Sequence, residues 1–154
     1  VPVEITLTKR ERLHPFTISL PGVEGAVRNG LAQTIEKLAP LKLSADDKGT
    51  VELVLAEALN NVIEHALAAT QGTTLIEVTV RHDEKGLHLT ITDEGVPMPT
   101  GQAPGAKAPD VDVDLADMPE GGFGWFMIHT LAEEVQYERI GDANHLRLML
   151  SLDV

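Results

Sequence analysis

Three stretches of this chain alternate apolar and polar residues with a period of two: Ile76, Val78 and Val80, then Leu87, Leu89 and Ile91, and finally Leu146, Leu148, Leu150 and Leu152. Side chains on a strand project to opposite faces in turn, so each stretch presents an apolar face that another layer has to cover. Turns at Lys85-Gly86 and Gly141-Asp142 fold the chain back on itself, which predicts antiparallel pairing and makes Val135 to Ile140 the partner of the last stretch. Two further extended segments, Glu4 to Thr8 and Phe16 to Leu20, are expected to form a hairpin or an edge pair.

The covering layer comes from segments with helical spacing. Val27, Leu31, Ile35 and Leu38 recur along an amphipathic helix from Val23 to Ala39, which Pro40 closes. Ser44 with Asp47 resembles a capping box and opens a long helix expected to reach about Thr70, with Val51, Leu55, Ala58, Val62 and Ala66 as its apolar stripe. A short helix is expected from about Gly124 to Glu134. Only five of the 154 residues are aromatic, so aliphatic side chains must fill the core of what the length predicts to be one domain.

Charge narrows the function classes. Twelve Lys and Arg against 24 Asp and Glu give a net charge of −12, which repels a nucleic-acid backbone and an anionic membrane surface. No apolar run approaches the roughly 20 residues of a membrane span. The absence of cysteine excludes disulfides, thiolate metal sites and cysteine nucleophiles, and a cytoplasmic protein without direct nucleic-acid or membrane contact is expected. The six histidines lack the HEXXH-type spacing of a zinc site. The 29 residues from Asp93 to Gly121 hold five of the nine prolines, four glycines, seven acids and a single lysine, Lys107. A loop this long inside a compact domain is usually a lid or a binding loop.

Three segments carry chemistry. On the long helix, Glu57, Asn61 and His65 are spaced four apart and share one face beside the core stripe, which suits either the wall of a cleft or a solvated helix face. In Ile91-Thr92-Asp93-Glu94-Gly95 a carboxylate ends an apolar strand; it can accept a hydrogen bond from an exocyclic amine, although Asp-X-Gly also serves as plain turn chemistry. In Glu120-Gly121-Gly122-Phe123-Gly124-Trp125 glycines lead into a helix, whose free N–H groups can receive a phosphate. The segment follows a loop and lacks the Gly-Lys-Ser/Thr of a P-loop, which disfavours that family and the dinucleotide fingerprint. Phe123, Trp125 and Phe126 are expected to pack beneath the site.

Taken together and in this order, the three segments resemble the ATP-binding fold of gyrase B, heat-shock protein 90, sensor histidine kinases and MutL, and most of all the bacterial anti-sigma-factor serine kinases of the RsbW and SpoIIAB type. Glu57-Ala58, Asn61 and His65-Ala66 are similar to the N box, Asp93-Glu94-Gly95 to the first glycine box, and Gly122-Phe123-Gly124 to the second. The resemblance implies an α/β, or α+β, two-layer sandwich in which helices cover one face of a mixed, largely antiparallel sheet. Residues 1–154 would form a single ATP-binding domain with its lid at about 93–121. It further implies that Asn61 coordinates Mg2+, Asp93 accepts from the adenine amine, Gly95 lets the base approach, Gly122 and Gly124 form the lid hinge and phosphate contacts, and Glu57 is the general base.

The implied function is that of an anti-sigma factor: a homodimer that sequesters a sigma factor and phosphorylates, with ATP and Mg2+, a serine on a small STAS-like antagonist. The dimer contact is expected at the N-terminal strands and at an apolar open face of the sheet. Val96-Pro97 stands where relatives often carry another glycine, and Lys107 is the single basic residue of the lid, so a nucleotide-binding switch module without phosphotransfer is the alternative. The ATP-binding domain of a sensor histidine kinase is a third reading, against which the N-terminal strand pair counts.

Overall fold

A computed structural model describes residues 13–70, 74–99, 101–104 and 122–154. Five strands form one sheet in the order β1 (Phe16–Pro21), β2 (Leu75–His82), β3 (Leu87–Asp93), β5 (Ala143–Leu150) and β4 (Glu134–Ile140). All four pairings are antiparallel, so the mixed sheet expected from the sequence narrows to an antiparallel one among the described residues. The expected strand at Glu4 to Thr8 lies outside them; β1 pairs with β2.

Helices α1 (Val27–Lys37), α2 (Ala45–Asn61) and α3 (Gly122–Leu131) supply the second layer. The Ser44 hydroxyl caps α2 by accepting from the Asp47 N–H at 3.1 Å. The reciprocal half of a capping box is replaced, because the Asp47 carboxylate accepts from the Asp153 N–H at 3.0 Å. The first helix starts later than its periodicity suggests, after a 3-10 turn at Glu24–Ala26. The last runs Gly122–Leu131 rather than Gly124 to Glu134, because Glu134 already opens β4.

Ile76, Val78 and Val80 of β2, Leu87, Leu89 and Ile91 of β3, and Leu146, Leu148 and Leu150 of β5 are buried in one cluster with Val51, Val54, Leu55, Ala58, Leu59 and Val62. These residues follow the two periodicities seen in the sequence, two for the strands and three to four for the helix. Full burial of such a side chain contributes about 1.5–3 kcal/mol relative to exposure, so this seam is the main source of stability. The opposite face of the sheet is largely polar, with Leu75, Ile140 and Met149 as its apolar members at the margins. Thr17, Thr79, Thr90 and Arg147 lie in register across it, with Thr17 and Thr79 hydroxyls 3.0 Å apart. A continuous apolar open face, the physical ground for expecting a homodimer contact there, is therefore not found among the described residues. Among the described residues no helix is long and apolar enough to cross a membrane.

Candidate functional site

At one end of the sheet the apolar faces of three strands finish in polar residues. The row Leu87, Leu89, Ile91 ends in Asp93; the row Leu150, Leu148, Leu146 ends in Asn144; and the row Val135, Tyr137 ends in Arg139. Asp93 and Asn144 are cross-strand partners, as are Asn144 and Arg139. Asp93 and Asn144 are 3% and 4% exposed, and buried polar groups of this kind need hydrogen-bond partners.

Those partners are found. Asp93 Oδ1 accepts from the Gly95 N–H at 2.7 Å and from Asn144 Nδ2 at 2.9 Å, and no described residue donates to Oδ2. Burial pushes the Asp93 carboxyl above its ordinary value, opposed by the hydrogen bonds from Asn144 and Gly95 and by the charges of Arg139 and His145. Asn144 Nδ2 also donates to the Val96 carbonyl at 3.0 Å. Its Oδ1 accepts from the Tyr137 hydroxyl and from Arg139 Nη1, the latter at 3.0 Å. Arg139 donates in addition to the Gly95 carbonyl at 2.7 Å, and the Tyr137 hydroxyl accepts from the Met98 N–H at 2.9 Å.

The C-terminal end of α2 lies against this sheet end. Its α-helical part stops at Asn61 and passes into a π turn, Val62–Ala66, in which the Leu67 N–H donates to the Val62 carbonyl at 3.0 Å. The wider turn carries the following residues out of register. His65, expected on one face with Glu57 and Asn61, lies in this turn and is exposed. The same turn leaves the Ala66 carbonyl to accept from the Val96 N–H at 3.0 Å. Gly95 passes so close that a β-carbon there would collide with the Ala66 carbonyl, which makes glycine obligatory by packing.

Glu57 and Asn61 both face Gly124. A β-carbon on Gly124 would lie 2.7 Å from Glu57 Oε2 and 3.5 Å from Asn61 Nδ2. Gly124 sits in the first turn of α3, not ahead of it, and Gly122 is the first residue of that helix. The N–H groups of a first turn have no intrahelical acceptor, so the start of α3 places donors of this kind next to Glu57 and Asn61. Of the two neighbouring amides, Asn60 is half-buried while Asn61 is 6% exposed, and Asn61 Nδ2 is buried without a hydrogen-bond partner among the described residues. A buried amide left unpaired costs about 1–3 kcal/mol, and a ligand between α2 and α3 would remove that cost. The amide also offers an oxygen, the donor type that suits Mg2+, so the residues present fit a metal-bound phosphate group.

Trp125 is buried, and its ring centroid lies 6.3 Å from that of His129. Phe126 is half-buried, and Phe123 lies in α3. His129 Nε2 donates to the Pro104 carbonyl at 2.6 Å, which ties the loop after Asp93 to α3. Most of the segment expected to form the lid, including Lys107, lies outside the described residues.

The model of the histidine kinase-like ATPase domain matches residues 23–150. The chain belongs to this family. Within it, the chain resembles the serine-protein kinases: it is 30% identical to the serine/threonine-protein kinase BtrW of Bordetella bronchiseptica over 105 residues, which is 68% of this chain and 71% of that one. It is 26% identical to the serine-protein kinase RsbW of Bacillus mycoides over 92 residues, 59% of this chain, and spans little more than half, 56%, of that relative. The crystal structure of RsbU and RsbW domains from Mycobacterium tuberculosis superposes with a TM-score of 0.62 over 90% of this chain and 32% of that one, at 18% identity. The histidine kinase-like ATPase fold expected from the three motifs is thus the fold of this chain, on its RsbW-like branch.

Asn144, Tyr137 and Arg139 are not legible as site residues in the sequence motifs. A signal was present, however: Asn144 continues the row of Leu146, Leu148 and Leu150 in the same parity, so its amide belongs to the core face, where it needs partners.

Proposed function

We propose that this chain is an anti-sigma regulatory factor that binds ATP with Mg2+ and transfers the γ-phosphate to a serine of a small STAS-like antagonist. The observation that carries the reading is the approach of Gly124 to both Glu57 Oε2 and Asn61 Nδ2. It puts a carboxylate, an unpaired amide and the free end of a helix at one point, which is what a transferring phosphate needs.

In this reading Asp93 Oδ2 accepts from the adenine amine, and Gly95 keeps the strand exit close to α2 beside the base. Gly122 and Gly124 form the lid hinge and present N–H groups to the phosphates. Asn61 Oδ1 is the metal ligand; bound Mg2+ supplies positive charge that this acidic chain lacks. Glu57 accepts the proton of the serine hydroxyl as its oxygen bonds to the γ-phosphorus and the bond to the bridging oxygen breaks, releasing ADP. The partners would be a sigma factor and the antagonist. A homodimer is proposed as well, with the N-terminal strands, one of the two contacts expected, as its interface.

The base-poor lid favours a second reading, a nucleotide-dependent partner switch without phosphotransfer. One experiment separates the two, using ATP, Mg2+ and a small serine-bearing antagonist encoded nearby. Glu57→Gln should keep ATP affinity while phosphotransfer falls by about 10²- to 10⁴-fold, whereas Asn61→Ala should weaken Mg-ATP binding and transfer together. Wild-type protein that binds the antagonist in a nucleotide-dependent way and transfers no phosphate would overturn the kinase reading in favour of the switch.

A further inference from the structure

The base-contacting carboxylate and the root of the lid share one side chain. Asn144 Nδ2 donates to Asp93 Oδ1 at 2.9 Å and to the Val96 carbonyl at 3.0 Å, while its Oδ1 accepts from Tyr137 and Arg139. The orientation of this amide follows from chemistry. A guanidinium can only donate, so Arg139 requires the amide oxygen on its side, and the NH2 group is left for Asp93 and Val96. The Tyr137 hydroxyl, which accepts from the Met98 N–H at 2.9 Å, directs its own proton to the same oxygen. The donors therefore run in one direction, from Met98 through Tyr137 and Asn144 to Asp93.

From this relay we infer that Asn144 is a positioning residue for nucleotide binding: it saturates Asp93 Oδ1, so that Oδ2 is the oxygen offered to the base, and with Tyr137 and Arg139 it clasps residues 95–98, the first residues of the lid, to the floor of the site. The inference rests on the proposed contact between Asp93 and the adenine amine. It also accounts for the Val96-Pro97 pair, since a loop held at Gly95, Val96 and Met98 gains nothing from a flexible glycine at its entry. The clasp comes from the C-terminal hairpin, on which neither glycine box nor the N box lies, so β4 and β5 contribute directly to the nucleotide site.

The test is calorimetric titration of ATP and ADP against the whole chain as a function of pH. Asn144→Ala removes a donor to the charged form of Asp93, so affinity should fall by roughly ten- to a hundredfold. The pH at which binding is lost on acidification should also move upward, with Arg139 of β4 and His145 of β5 the other charged groups acting on Asp93. A residue that only packs would change affinity without moving this acid limb. Tyr137→Phe is the milder variant, on a half-buried residue; it should leave the acid limb near its wild-type position and speed hydrogen exchange at the Met98 amide. The positioning role is overturned if Asp93→Asn loses affinity while Asn144→Ala keeps both affinity and acid limb, or if Tyr137→Phe leaves Met98 exchange unchanged. Undiminished affinity in Asp93→Asn would instead sink the adenine contact itself.

Discussion

Gly124 packs against Glu57 so closely that a β-carbon would lie 2.7 Å from the Glu57 Oε2 atom. The obstacle is the free end of a flexible side chain, not backbone, so Gly124→Ala should be accommodated by turning the carboxylate away. Alanine is about 1 kcal/mol better than glycine inside a helix. The thermal midpoint of Gly124→Ala should therefore hold or rise, while in the proposed kinase reading phosphotransfer should fall on the order of 10²-fold because the Glu57 carboxylate is misplaced. Scanning calorimetry with a single-turnover transfer assay checks both halves, and an unaltered transfer rate would remove Glu57 from the reaction.

Gly95 presents the opposite case. Its neighbour is the Ala66 carbonyl, held in place by the Val96 N–H. A methyl group here has to displace backbone, so Gly95→Ala should destabilise the fold by about 1–3 kcal/mol through overpacking. Urea unfolding measures this, and nucleotide affinity should fall in parallel because the strand exit and α2 separate. Wild-type stability in Gly95→Ala would mean that the π turn gives way freely.

In the proposed site Asp93 sets stability against binding. Burial raises its pKa, so the folded state favours the protonated form. Its contribution to stability is full below the ordinary carboxylate value and is lost as pH rises through the raised folded value. Wherever the group is ionised, its burial weakens the fold. Asp93→Asn removes that charge and keeps an oxygen for the Gly95 and Asn144 donors. The variant should thus be at least as stable as wild type at pH 7, with the difference closing on acidification, while ATP binding weakens by about 1–3 kcal/mol. Urea unfolding between pH 4 and 8, with calorimetry at pH 7, decides it; a variant clearly less stable than wild type at pH 7 would contradict the burial argument.

The sequence by itself determined the layers of this protein, because apolar spacing is a local property. Ile76, Val78 and Val80, or Leu146, Leu148 and Leu150, can satisfy their period only as strands with one covered face, and Val51, Leu55 and Ala58 only as a helix that covers it. Glu57, Asn61, Asp93 and Gly95 stand out as candidates because each sits at a recognisable end or face of an element, and the roles proposed for them come from the resemblance of the three motifs. Only the tertiary structure decided which of them meet. Asp93 and Asn144 are 51 residues apart and become partners through the register of β3 on β5. Gly124 reaches Glu57 because α3 begins at Gly122 and lies along α2. The helix closes in a π turn that holds the exposed His65, and the turn's carbonyl at Ala66 is taken by Val96. Each of these depends on contacts between segments distant in the chain, whose energies no local pattern records.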